Sequence, residues 1–176
     1  MKKLLFTLVL FVAAAILASG CGDSTENDTQ SADMDVPDPC ALFTKADAAM
    51  ILGEPAGASQ SSNIAGTRTC SYTSTGASPR MASVKIVKPC SMADYANYAV
   101  DPLAVPIEGI GMHASWNKSE LLVHSMSGDT CVYASVGGIP TGDEAADDMT
   151  ALEQAKKLAM MVLGKLEPQQ TNDMPM

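Results

Sequence analysis

Four cysteines constrain this chain more than any other feature: Cys40, Cys70, Cys90 and Cys131. No two of them sit at the C-x-x-C spacing of a zinc site, and the gaps between them are wide. In an exported domain an even number of such cysteines reads as two disulfides, with three possible connectivities. Consecutive pairing, Cys40–Cys70 and Cys90–Cys131, is favoured because it ties neighbouring parts of the chain together. Each bridge would close a loop of about 30 to 40 residues and stabilise the fold by roughly 3–4 kcal/mol in the chain-entropy model. That contribution matters here, because aromatic residues make up only 5% of the sequence. The core must be built mostly from Ala, Val, Leu, Ile and Met.

The disulfide reading depends on export, and the N-terminus supplies the signal for it. Lys2 and Lys3 precede an almost unbroken apolar run from Leu4 to Leu17, closed by Ala18-Ser19-Gly20-Cys21. This is the layout of a secretory signal, and the run is shorter than the roughly twenty residues that span a bilayer. The closing residues resemble a bacterial lipobox. The resemblance implies removal of residues 1–20 and acylation of Cys21 with palmitate-type chains as the mature N-terminus. Each buried CH₂ adds roughly 0.8 kcal/mol of membrane affinity, so several chains would anchor the protein. Gly22 is not the aspartate that, in similar lipoproteins, favours inner-membrane retention. The expected location is the cell envelope: periplasmic or outer-membrane side in a Gram-negative cell, the extracytoplasmic face otherwise.

Residues 21–37 comprise the lipidated cysteine and a polar, acidic stretch that cannot bury enough surface to order itself, so a tether is expected. Residues 38–166 read as one domain and 167–176 as a polar tail. Without Lys2 and Lys3, nine basic residues face twenty acidic ones, a net charge near −11. Nucleic acid and anionic lipid call for basic patches, so the charge argues against nucleic acid as a partner and against electrostatic docking on anionic lipid.

Within the domain, Thr44 and Asp47 form a capping box ahead of a helix carrying Ala46, Ala49, Met50 and Leu52, stopped by Gly53 and Pro55. Residues 56–66 are small and polar and read as a loop. Two strands are expected over Arg68–Thr75 and Met81–Lys88, joined through Gly76-Ala77-Ser78-Pro79. Ser91 and Asp94 can cap a second helix with Met92, Tyr95, Ala96 and Ala99 inward. After a Pro-interrupted crossing from Pro102 to Pro106, three strands follow near Ala114–Trp116, Glu120–Ser125 and Thr130–Val136, the last two turning at Ser127-Gly128-Asp129. Thr141 and Glu144 make a third capping box. The helix behind it carries Ala145, Met149, Leu152, Ala155, Ala159, Val162 and Leu166 on one stripe, with acids first and lysines later to match its dipole. The expected class is α+β: an antiparallel sheet of about five strands against helices, in the order α-β-β-α-β-β-β-α, stapled by two disulfides.

Asp38-Pro39-Cys40-Ala41-Leu42, Ile51-Leu52-Gly53, Cys70-Ser71-Tyr72 and Gly109-Ile110-Gly111 resemble the landmarks of an uncharacterised lipoprotein domain family common in actinobacterial envelopes. The resemblance covers roughly residues 38–166. It supports the Cys40–Cys70 pair and the α+β class and implies no activity, since the function of that family is itself unknown. Cys90 and Cys131 have no counterpart in its pattern.

Patterns with chemical meaning are few. Gly109-Ile110-Gly111-Met112-His113-Ala114 fits the dinucleotide string, but prolines precede it and no helix follows, so a turn into a strand is expected. His113 and His124 are the two histidines. His124 alternates with Val123 and Ser125 and is expected as an exposed strand residue. A triad of His124, Asp129 and a serine lacks the G-x-S-x-G elbow, and H-E-x-x-H is absent, so no catalytic residue is assigned. Met160-Met161 and Met174-Pro175-Met176 suit core filling better than a soft-metal site. Asp143, Glu144, Asp147 and Asp148 suit a helix start better than a calcium loop. No metal or cofactor is expected, and the sequons at Asn27 and Asn117 read as chance. The sequence points first to a membrane-anchored, non-enzymatic envelope lipoprotein whose domain binds a protein partner or modulates an envelope complex. The alternative is a small-ligand pocket between sheet and helices near Trp116, Tyr95 and Tyr133. A hydrolase built on His124 comes last.

Overall fold

Ala82, Val84 and Ile86 alternate with Ser83, Lys85 and Val87, giving a strand with one wholly apolar face. In the computed structural model, which describes residues 36–64, 66–138 and 144–166, that strand lies near the middle of a seven-stranded antiparallel sheet. The strands are β1 (Ala56–Ile64), β2 (Thr67–Ser74), β3 (Met81–Val87), β4 (Ala104–Pro106), β5 (His113–Asn117), β6 (Leu122–Ser127) and β7 (Thr130–Gly137). The helices are α1 (Pro39–Leu42), α2 (Lys45–Leu52), α3 (Met92–Ala99) and α4 (Glu144–Leu166). The spatial order is β1-β2-β3-β7-β6-β5-β4, so the chain starts at one edge and moves inward to β3, crosses to the other edge through α3, and meanders back to pair β7 with β3. The signal segment, Cys21, the acidic stretch to residue 35, the capping box at Thr141 and the methionines of the tail lie outside the described residues.

The class is α+β as expected, but the sheet has seven strands rather than five. Both additional strands are its edges. In sequence β1 reads as a loop because it consists of small polar residues, and in the fold nearly all of them are exposed. β4 had read as a crossing because it is three residues long and ends in Pro106, which an edge strand tolerates.

The face of the sheet bearing Val84, Ile86, Val123, Val132, Ala134 and Val136 packs on α1, α2 and α4. Phe43 meets Tyr72 edge-on at 5.2 Å beneath α1, close to the Cys40–Cys70 bridge (Cα–Cα 5.2 Å). Three alanines of α4, Ala151, Ala155 and Ala159, let that helix approach the sheet, with Leu158 and Val162 filling the space beside them. Met149, placed on this stripe by spacing, is instead 70% exposed, as Met50 of α2 is 59% exposed. The inward residues are Ala48, Ile51 and Leu52 in α2, and the buried part of the α4 stripe begins at Ala151. Two capping boxes are formed, Thr44 with Asp47 and Ser91 with Asp94. Specific hydrogen bonds tie the elements together. Arg80 donates from Nη1 to the Leu52 carbonyl (2.6 Å) and from Nη2 to Gln154 Oε1 (2.6 Å), joining the β2–β3 hairpin, α2 and α4. Lys165 at the end of α4 donates to the Leu42 carbonyl and to Asp47 Oδ2, both at 2.8 Å.

Candidate functional site

The opposite face of the sheet is only partly covered. Its central residues form one cross-strand row: Thr69 (β2) faces Lys85 (β3), Lys85 faces Tyr133 (β7), Tyr133 faces His124 (β6), and His124 faces Ser115 (β5). A parallel row places Ser71, Ser83, Ser135, Leu122 and Asn117 side by side. Directly opposed side chains in an antiparallel sheet lie within about 5.5 Å at Cβ, so each row acts as a continuous surface.

Over this surface lies α3, with Ser91 as its N-cap. The preceding Cys90 is bridged to Cys131 of β7 (Cα–Cα 5.5 Å), the consecutive pairing favoured for these two cysteines. The helix buries none of its residues fully. The inner face expected for it, Met92 with Tyr95, Ala96 and Ala99, is therefore not a core face. It is Tyr95 and Tyr98, three residues apart and so on one side of the helix, that meet the sheet. Tyr133 and His124 stack at 4.3 Å with ring planes 7° apart. Tyr95 lies 4.7 Å and Tyr98 5.0 Å from His124, Tyr98 lies 4.9 Å from Tyr133, and His113 adjoins Tyr95 at 5.6 Å. The Lys85 ammonium stands over the Tyr133 ring, 3.9 Å from its centroid, a contact that stabilises by roughly 1–2 kcal/mol when partly desolvated.

His124 is therefore not an exposed strand residue. It is 3% exposed, roofed by the two tyrosines, and neither ring nitrogen has a hydrogen-bond partner among the described residues. Burial, reinforced by the Lys85 charge, lowers its pKa to about 4, so the ring is neutral near pH 7. Burial, with Tyr98 and the Asp94 carboxylate close by, holds the Tyr133 hydroxyl above its usual value. The groups of the sequence-level triad are not joined: Asp129 accepts from the Thr130 hydroxyl at 3.2 Å and lies 4.0 Å from Lys88. Trp116 also parts from Tyr95 and Tyr133. It pairs with Val123 on the helix-packed face, so no pocket contains all three.

Gly109-Ile110-Gly111 forms the turn from β4 into β5, with positive φ at both glycines. Of the acids at the start of α4, Asp148 is ion-paired with Lys118. Among the described residues no cluster of His, Cys, Asp or Glu is arranged to hold a metal ion, and no helix is long and apolar enough to cross a membrane.

Where α3 stops short of β2 and β3, a cavity of about 300 Å³ opens, lined by Lys85, Tyr98, Tyr133, Ser83, Ser135, Thr69, Leu122 and Glu120. Apart from Tyr133, none of these residues stood out in the sequence. The i,i+3 spacing of Tyr95 and Tyr98 was a usable signal, as was the shared parity of Ser83 with Lys85 and of Tyr133 with Ser135. The register that sets Lys85 against Tyr133 was not legible without the fold. No family model, curated protein or solved structure matches the chain.

Proposed function

We propose that this protein is a lipid-anchored envelope lipoprotein whose α+β domain is a non-enzymatic binding module, and that it recognises its ligand on the partly open sheet face beside α3. The observation that carries the reading is the contrast between the two faces. One is a closed apolar core, while the other keeps aromatic rings, a lysine and several hydroxyls around an open cavity. Aromatic walls with a few convergent polar groups are the usual composition of a recognition site. The two disulfides are consistent with an extracytoplasmic location, and the lipobox resemblance supports anchoring through Cys21. The non-catalytic part of the reading is supported by His124, which is neutral near pH 7 and has no hydroxyl or carboxylate bonded to either nitrogen among the described residues.

The test is native mass spectrometry of the protein purified from membranes of its own host. A bound species, small molecule or protein, is expected on the wild type and lost from a Lys85→Met/Tyr98→Ala variant compared with it at a temperature where both are fully folded. Equal retention by the variant, or an unliganded wild type, would count against the reading.

A further inference from the structure

Two opposite charges line the 300 Å³ cavity, and no ion pair joins them. Lys85 is held on the Tyr133 ring, with no carboxylate partner among the described residues. Glu120, exposed on the β5–β6 turn, lines the same cavity, and its carboxylate likewise makes no ion pair among the described residues. The turn that carries Glu120 is built in advance. Asn117 Oδ1 accepts from the Ser119 N–H (3.0 Å), the Ser119 hydroxyl (2.7 Å) and the Glu120 N–H (3.4 Å). Asn117 is itself pinned by donating from Nδ2 to Asp101 Oδ2 at 2.7 Å. The backbone of Lys85 is likewise held, since its strand sits between β2 and β7. The backbones that carry the two charges are thus held by separate elements at separate points of one small cavity.

We infer that the cavity takes a small zwitterion, namely a free α-amino acid. Its carboxylate lies toward Lys85 and the hydroxyls of Ser83 and Ser135, its ammonium toward Glu120, and its side chain against Tyr98. This rests on the binding-module reading above and narrows it to a ligand class. A simple anion would meet Glu120 and a strongly acidic protein, with a net charge of −9 over the whole sequence. A simple cation would meet Lys85. A molecule carrying both charges satisfies both groups, and its zero net charge removes the penalty from the overall field. The volume lies at the lower end of small-molecule sites, which suits a ligand of this size.

The experiment is calorimetric and NMR titration of the full mature domain with the free L-amino acids, each compared with its N-acetyl and methyl-ester derivative. At least one free amino acid should bind and shift the amides around Ser83, Lys85, Glu120 and Ser135. Removing either charge from the ligand should weaken binding at least tenfold. Lys85→Met should do so for the free acid and its N-acetyl form, and Glu120→Gln for the free acid and its methyl ester. Derivatives that bind as well as the parent would overturn the zwitterion assignment, as would variants without effect. If no free amino acid binds at millimolar concentration while native mass spectrometry still shows a species lost from the Lys85→Met/Tyr98→Ala variant, the inference fails and the binding module stands. If that species is absent too, both fail.

Discussion

At the scale of single residues, His124 is the group whose environment most departs from what its neighbours in sequence suggest. A polar residue on an alternating strand is ordinarily placed toward solvent, and nothing local announces that α3 will cover this one. Its burial has a pH consequence. With a folded pKa of about 4 against an ordinary value of 6.5, the unfolded chain binds the extra proton between those values. Stability is therefore complete above pH 6.5 and is lost as pH falls toward 4, by roughly 1.4 kcal/mol per pH unit and up to about 3 kcal/mol in all. Urea denaturation of the wild type between pH 7 and 4.5 should show this slope, and His124→Phe, which keeps the stacked ring, should flatten it. Asp47 acts in a lower window. Burial works against its charge, but the Lys165 and Thr44 hydrogen bonds outweigh burial and hold its carboxyl below the usual value. Its contribution is present above the unfolded pKa and lost only as pH falls through the lower folded one, so the two effects separate. The glycines of the β4–β5 turn offer a second contrast. Gly111 has φ +59°, and a Cβ there would lie 2.6 Å from the Met126 carbonyl oxygen, whereas at Gly109 (φ +80°) the same atom meets open space. Gly109→Ala should cost about 1 kcal/mol of backbone strain, and Gly111→Ala about 3 kcal/mol or more, read from denaturant midpoints.

At the scale of elements, what could be read from the sequence divides by position in the sheet. β2 and β3 lie inside it and alternate because one face is buried, so period-2 patterning finds them, whereas the central residues of β6 and β7 are buried on both faces and are found by their apolar content. β1 and β4 are edges with little apolar surface to bury, and for them the pattern is missing by physical necessity. Ser, Gly, Asn and Pro keep such edges from pairing with other chains. The stripes of α2 and α4 were legible as helices but slightly misassigned in phase, because Met50 and Met149 count as hydrophobic wherever they point. The helix α3 was legible by its cap, but the inner face expected for it was not found, since the helix lies on the partly open face and buries none of its residues fully. Two variants test this division. Leu158→Ala, in the buried face of α4, should lower global stability by about 2–5 kcal/mol. Ser91→Ala should remove the α3 cap at a local cost of about 1 kcal/mol. Hydrogen exchange should then show faster exchange in α3 and its tyrosines, with the amides of β3 and β7 unchanged. Equal acceleration in those strands would mean that α3 belongs to the cooperative core.

At the scale of the whole molecule, the disulfides divide the work between the two faces. Cys40–Cys70 joins the first helical turn to β2 on the core side, and Cys90–Cys131 fixes the start of α3 to the central strand β7 on the side of the cavity. The loops they close, 30 and 41 residues apart in sequence, are similar in entropic terms, because the cost of closure grows only with the logarithm of length. Replacing either pair by serines should therefore lower global stability by a similar amount, roughly 3–4 kcal/mol. The functional consequences should differ. Without Cys40–Cys70, the rows on the open face keep their register through β3, β6 and β7, and binding at the cavity should persist at temperatures where the variant is folded. Without Cys90–Cys131, the N-terminal end of α3 is tied to the sheet only by its backbone and by the tyrosine contacts. Tyr98 then spends less time as a cavity wall, and affinity should fall even where the fold is intact. The measurement is the pair of double-serine variants compared at matched fractions folded, with urea denaturation for stability and native mass spectrometry for retention of the bound species. Equal loss of ligand from both variants would mean that the cavity depends on overall stability alone and that the bridge beside it has no part in shaping the site.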